Sequence, residues 1–391
     1  MRVIVIGSGI AGAATAYHLV RRGAEVVVVD AGLAGAATGA GAGIVSPWTS
    51  HWEDALFPLA SAAAAYYPEL AGQLAEETGE ASSYEVVGGM LVSEDESELG
   101  ERERRLTERA AIAPGAGKIR RLDPVQAREL FPPLAPELGA VHLSGAARVD
   151  GRQVRQALLT ASRRRGARLV ASHARLSPRP GKASRVLAGG EVFDADVVVA
   201  AAGAWTADLV AQLGIRVPVT PQRGQISHFD VPAKTSAWPV VLPRTSHYLL
   251  AFPGSRVVAG ATRESGAGFD HRVTAAGQRE VLEHALAVAP GLADATLAET
   301  RVGFRPGTPD GVPVLGRAAD GLVLATGFGA AGLTLAPFAG KLVAALALGE
   351  DAGFDLAVCA PAPRGARGRR GARDRRGGEG ELARAAGPRP G

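Results

Sequence analysis

Residues 3–12 read Val3-Ile4-Val5-Ile6-Gly7-Ser8-Gly9-Ile10-Ala11-Gly12. The first four are apolar and mostly β-branched, which predicts a short strand buried on both faces. The Gly-x-Gly-x-x-Gly turn leads into a helix from Ala13 to Arg22, and Gly23 stops it. Glu25-Val26-Val27-Val28-Val29-Asp30 then predicts a second buried strand that closes on an acid. This order and spacing define a dinucleotide-binding unit. Gly7 permits the tight turn, Gly9 lets a pyrophosphate approach the backbone, and Gly12 lets the helix pack on the strand. The helix N-terminus offers free N–H groups and partial positive charge to the phosphates. Asp30 is placed to accept a ribose 2′-hydroxyl, which argues against a 2′-phosphate. Three glycines, His18 and the strand that follows exclude a secretory leader for this stretch.

Composition bounds the rest. A chain of 391 residues suits two domains. The net charge of +4 is concentrated at the end, where Pro361 to Gly391 holds nine arginines against Asp374, Glu379 and Glu381. The remaining chain is mildly acidic. The Arg/Gly-rich end has almost no large apolar residues, so a disordered appendage is expected. Without interleaved aromatics, no specific nucleic-acid partner is expected. A single cysteine, Cys359, rules out an internal disulfide and points to a reducing, cytoplasmic setting. Every apolar run of about 18 residues contains glycine or charge, so no membrane span is expected. No motif with metal-ligand spacing occurs.

Beyond Asp30, the Gly35–Trp48 stretch is too glycine-rich for a regular element and suits backbone laid along a flat ligand. Helices are expected at 56–78, 94–110, 123–130 and 151–165, with a strand pair at 84–93 around Gly88-Gly89. Val197-Val198-Val199-Ala200-Ala201-Ala202-Gly203 repeats the opening logic, a buried strand ending in small residues before a helix. From 217 to about 300, strands alternate with turns, as in a mostly antiparallel sheet. A strand at 322–326, a glycine turn and a helix to about 348 then form a further anion site of the same kind.

Four motifs, in order, resemble the D-amino acid oxidase family of flavoproteins, on the glycine oxidase and bacterial D-amino acid dehydrogenase side. They are GSGIAG with Asp30, AAAGAWT at 200–206, PQRGQI at 221–226, and the pair GFRPGTPDGVPVLG at 303–316 and GFGAAGLTLAP at 327–337. The resemblance runs from Val3 to about Leu348. It implies an α/β fold with a discontinuous Rossmann-like FAD-binding domain (1–83, 140–216 and 301–357). A mostly antiparallel α+β substrate domain (84–139 and 217–300) would be inserted in it, with the tail from 358 to 391. It also implies non-covalent FAD, because the sarcosine oxidase relatives attach flavin through a cysteine near the place of Gly303.

By motif matching, Ile10 and Ala11 would lie at the pyrophosphate, with Gly7, Gly9 and Gly12 shaping the turn, and Asp30 and Ala31 at the ribose. Thr38, Ala42, Gly43 and Ile44 would run along the flavin. Gly203 would sit at a strand end facing the ligand. Gly327, Phe328, Gly329, Ala330, Ala331, Gly332, Leu333 and Thr334 would hold the flavin and its ribityl chain. Arg175 matches a position that contacts adenine through its backbone. Arg305, in Gly303-Phe304-Arg305-Pro306-Gly307, matches the arginine that pairs with the substrate carboxylate, and Tyr248 a tyrosine beside it. A guanidinium suits this task, being permanently charged and bidentate.

The implied reaction is oxidative deamination of a D-amino acid or glycine to an imino and then keto acid. Oxygen or a quinone-type molecule would be the electron acceptor. A secondary amine such as sarcosine or a proline-like amino acid is the alternative substrate, and an inactive flavin-binding relative a second alternative. A nicotinamide-dependent dehydrogenase would account for the opening motif alone. Ala330 replaces an arginine of glycine oxidase and Arg263 a methionine, which weakens glycine as the substrate. If Arg263 points inward, it favours an acidic side chain or second carboxylate; otherwise it is a surface arginine.

Overall fold

The computed structural model describes residues 1–50, 55–179 and 182–362, and the Arg/Gly-rich tail expected to be disordered lies outside the described residues from 363 onward. The Val-rich runs at the N-terminus become the middle of a six-stranded sheet. Its order is Val314–Ala319, Leu322–Thr326, Val197–Ala200, Arg2–Ile6, Glu25–Asp30 and Arg168–Ala171. The last five run parallel, with Val3 beside both Val26 and Val197. Val314–Ala319 is an antiparallel edge. Val3, Ile4 and Val5 are completely buried, as a sheet covered on both faces requires.

Two helices cover one face. Ile10–Arg21 follows the first strand and is buried along almost its whole length. Gly332–Leu348 packs against it, and Gly340 makes the close approach possible: a Cβ there would lie 2.6 Å from the Ala14 Cβ. Residues 329–348 are, among the described residues, the one helical segment long and apolar enough to cross a membrane. Its most apolar window is 67% buried inside the protein, which marks a core helix.

The second sheet has nine strands. Its main path is Glu264–Ser265, Thr220–Asp230, Arg256–Gly260, Tyr248–Phe252, Val240–Leu242, Gly89–Ser93, Gly139–Leu143 and Ile119–Leu122, and Thr296–Gly307 pairs with Thr220–Asp230. Pairing is antiparallel except between Val240–Leu242 and Gly89–Ser93. The sequence pattern therefore finds this sheet but misplaces some of its members. Gly139–Leu143 and the strand through Arg301–Gly307 sit in the second sheet, although the sequence pattern expects segments 140–216 and 301–357 in the FAD-binding domain. Strand partners are set by long-range packing that local texture does not encode.

The expected strand pair at 84–93 is also not a pair. Glu85–Val86 joins Ala147–Arg148 in a small sheet, while Gly89–Ser93 joins the large one, and Gly88 at φ +78° turns the chain between them. At the C-terminal end, packing continues past residue 358, where the tail was expected to begin. Cys359 is 1% exposed and belongs to the apolar cluster around the first helix.

The loop after Asp30 is stitched to the second sheet. Phe304 N–H donates to the Gly35 carbonyl at 2.9 Å, and Ala36 bridges to Phe304. Gly35 lies against the Phe304 ring, 2.2 Å from where its Cβ would be, so no side chain fits there. The loop after Asp30 is thus held against the strand that carries Arg305.

Candidate active site

The turn after the first strand is closed by steric necessity. Gly7 has φ +102°, and a Cβ on it would lie 2.3 Å from the Ala201 carbonyl oxygen. A Cβ on Gly12 would lie 1.9 Å from the Gly7 carbonyl oxygen. Gly9 differs: its nearest neighbour would be the Thr38 hydroxyl at 3.4 Å, so the absent side chain leaves open space above the helix terminus. The same hydroxyl accepts the Ile10 N–H at 2.9 Å. Asp30 accepts from the Ser8 N–H at 2.5 Å, the Ser8 hydroxyl at 2.8 Å and the Gly32 N–H at 2.7 Å. Arg155 donates to the Ser8 carbonyl and hydroxyl, both at 2.6 Å, and so holds the turn that is bonded to the acid.

From this turn a cavity of about 550 Å³ runs to the second sheet. It brings together Gly7, Gly9, Ile10, Ala11, Asp30, Ala31, Thr38, Ala42, Gly43, Ile44, Gly203, Tyr248, Arg305, Phe328, Gly329, Ala330, Gly332 and Leu333. Five expected residues do not line it. Gly12 packs beneath the turn, and Gly327 and Ala331 lie outside the lining. Thr334 is buried and donates its hydroxyl to the Ile44 carbonyl at 3.0 Å. Arg175 is exposed on the strand Arg175–Arg179, and Ser172, His173 and Ala174 line the cavity in its place. The correction is a matter of register, since the chain leaves the cavity wall before it enters that strand.

Trp205, Phe304, Asp208 and Gln212 also line the cavity. Trp205 and Phe304 lie inside the quoted motifs, so their position carried the signal; Asp208 and Gln212 carried none. Phe269 stacks on Trp205 with ring centroids 4.8 Å apart, and both meet Phe304 edge-on.

The far end is cationic. Arg305 sits opposite Gln222 on paired strands, and its guanidinium lies over Gly224, whose missing Cβ would come within 2.6 Å of Nη1. Nη1 donates to the Thr262 carbonyl at 2.9 Å, and the guanidinium also bonds the Tyr248 phenol. Burial pulls the Arg305 pKa down, and the neighbouring Arg263 charge adds to this while Tyr248 opposes it. Burial pushes the Tyr248 pKa up, against the pull of Arg305 and Arg263. At neutral pH Tyr248 is therefore a hydroxyl donor and Arg305 a half-buried cation. Such a pair wants an anion.

Arg263 is exposed and outside the lining, and makes no hydrogen bond or ion pair to a described residue, yet its charge is felt at both Arg305 and Tyr248. His247 lies behind Tyr248 in a small separate hollow, stacked on His284 with centroids 3.8 Å apart. Among the described residues no group of three or more His, Cys, Asp and Glu could hold a metal ion.

A long cleft with an open helix N-terminus at one end, a ribose-ready acid, a wall of small and apolar residues and a buried cation at the other fits a flavin dinucleotide beside a small anionic substrate. That is the site of a dinucleotide-binding oxidoreductase. The chain belongs to the DAO family of FAD dependent oxidoreductases, whose pattern matches residues 2–346.

It is 45% identical over 364 residues to the oxidoreductase YurR of Bacillus subtilis (strain 168), covering 92% of this chain and 98% of that one. It is 31% identical to the glycine oxidase of Geobacillus kaustophilus (strain HTA426), covering 91% and 95%. The crystal structure of iminodiacetate oxidase (IdaA) from Chelativorans sp. BNC1 matches with a TM-score of 0.89 at 46% identity, over 92% of this chain and 99% of that one. The protein is an FAD-dependent oxidoreductase with amino acid oxidases among its relatives.

Proposed function

We propose that this enzyme oxidises a small amino acid at its C–N bond, and that the preferred substrate is a secondary amine carrying two carboxylates, of the iminodiacetate kind. The observation that carries the proposal is the cationic end of the cavity, where Arg305 lines the wall beside Tyr248. One carboxylate would lie in the fork of Arg305 with a hydrogen bond from Tyr248. The likeness to the iminodiacetate oxidase structure supports this choice. Glycine or a D-amino acid is the second reading. It rests on the glycine oxidase likeness.

FAD, when bound, supplies the two-electron acceptor for the substrate C–H hydride. The chain supplies orientation. Arg305 and Tyr248 fix the carboxylate and so aim the adjacent carbon. Trp205 and Phe304 wall the cavity with aromatic surface and limit water. Tyr248 keeps its proton, because burial raises its pKa, so it acts as a donor and not as a base. The imine left on the substrate is hydrolysed by water to an oxo acid and an amine. Oxygen or a quinone-type molecule takes the electrons on.

The test is an anaerobic titration of the flavin-loaded protein followed by visible absorbance. Iminodiacetate is expected to bleach the flavin at lower concentration than sarcosine, glycine or D-alanine. Bleaching by glycine or D-alanine alone would move the assignment to the second reading. No bleaching by any of the four would overturn both.

A further inference from the structure

Arg305 is held by a polar network buried inside the second sheet. Its Nη1 donates to the backbone carbonyl of Thr262, a residue with no exposed surface. The Thr262 hydroxyl in turn accepts the Gln225 N–H at 3.0 Å and donates to Glu264 Oε1 at 2.7 Å. Gln225, also fully buried, donates its side-chain amide to the same Glu264 oxygen at 2.8 Å and to the Thr274 hydroxyl at 2.9 Å. The second Glu264 oxygen accepts from Arg223 Nε at 3.0 Å and from Nη2 at 2.5 Å.

Each member is bonded at both ends, so the Thr262 carbonyl has one orientation. The helix Ala275–Val288 closes the network from outside. A Cβ on Gly277 would lie 2.1 Å from the Gln225 amide nitrogen, so the amide has no room to swing away.

We propose that Glu264 is the positioning residue of the substrate-carboxylate receptor: through the Thr262 hydroxyl it fixes the carbonyl that anchors Arg305, and so fixes the depth at which a carboxylate binds. This rests on the reading of Arg305 given above. The Thr262 carbonyl and Tyr248 occupy part of the guanidinium, and the remaining N–H donors form the fork for substrate. The Glu264 charge also favours the buried cation, second-hand, without occupying it. Burial raises the Glu264 pKa, but hydrogen bonds from Arg223, Gln225 and Thr262 outweigh it and keep the group ionised. A carboxylate in direct contact with Arg305 would compete with substrate. A carboxylate one residue removed orients the cation and leaves its face open.

The test uses the FAD-loaded full chain and acetate as probe, with acetate binding read from the shift in flavin absorbance. Glu264→Gln and Thr262→Val are each expected to weaken acetate binding about tenfold to a hundredfold and to raise the KM for the amine substrate more than they lower kcat. FAD stoichiometry should stay at the wild-type value. Glu264→Asp, which keeps the charge, should recover part of the loss. Arg305→Ala is the control. If it leaves acetate affinity unchanged, the assignment of Arg305 as receptor falls. If it abolishes acetate binding while Glu264→Gln and Thr262→Val bind acetate like wild type, the positioning role falls and the receptor stands. Should Glu264→Gln fail to fold, the isosteric Thr262→Val decides, since it removes the same link with little change in volume.

Discussion

The Arg305 guanidinium lies over Gly224 on the neighbouring strand, one supplying the cation and the other the space for it. Truncating Arg305 to alanine should cost about 2 to 5 kcal/mol in kcat/KM, because it removes the proposed receptor for the substrate carboxylate. Steady-state kinetics checks this, and an unchanged kcat/KM would remove Arg305 from the mechanism. Tyr248→Phe should cost less, about 0.5 to 1.5 kcal/mol, the net worth of one hydrogen bond. The glycines of the opening turn separate structure from binding. Gly12→Ala would force a Cβ to 1.9 Å from the Gly7 carbonyl oxygen, so loss of about 1 to 3 kcal/mol or more of stability is expected, read by urea unfolding. Gly9→Ala meets nothing closer than 3.4 Å, so the protein should fold normally and bind FAD more weakly. Equal loss of stability in both variants would contradict this division. These residues were legible in the sequence because each sits in a motif whose chemistry needs that residue type. Glu264 was not, because its partners Gln225 and Arg223 lie 39 and 41 residues away in sequence and reach it only through strand pairing.

Among the elements, the helix Ile10–Arg21 carries two burdens. Its N-terminus faces the cleft, and its other turns are buried against Gly332–Leu348. His18 pays the chemical cost of that burial. Its pKa is lowered to about 3, first by burial and then by Arg22, Lys341 and Arg21, and its Nε2 meets the Tyr66 hydroxyl at 2.9 Å. Neutral His18 belongs to the packed helix pair, and a charged one does not. Gly340→Ala should press the two helices apart, since its Cβ would lie 2.6 Å from Ala14 and 2.8 Å from the Thr15 nitrogen. The expected result is a destabilised protein with an FAD affinity reduced in parallel, because the displaced helix forms the phosphate end of the cleft. Calorimetry with and without added FAD would show it. Glycine boundaries and apolar spacing made these helices legible, but not the face by which they touch.

At the scale of the whole molecule, three buried histidines make stability depend on pH. His18 is depressed to about 3, and His228 and His247 to about 4, each chiefly by burial. In the unfolded chain all three return towards 6.5, so between about 6.5 and 4 the unfolded state binds more protons. Stability is then full above about 6.5 and is lost as pH falls below it, each histidine contributing a slope of up to about 1.4 kcal/mol per pH unit. Urea midpoints across that range would test the sign, and a flat profile would contradict the buried neutral state. FAD should raise stability by about 2.7 kcal/mol at a hundredfold excess over its Kd, because its cleft is assembled from both sheets and is absent in the unfolded chain.

The opening thirty residues alone determined the dinucleotide unit, since buried valines, a glycine turn and a terminal acid are local requirements of that geometry. Motif identity also placed Arg305 and Tyr248 among the candidates. Tertiary structure decided what local pattern cannot hold. It put Arg305 on a strand of the second sheet rather than the first, ended the lining at Ala174 instead of Arg175, and joined Glu264 to Thr262 beneath the receptor. Propensity and periodicity act over a few residues, whereas strand partnership, burial and the charge felt by a buried guanidinium are sums over groups brought together only by the completed fold.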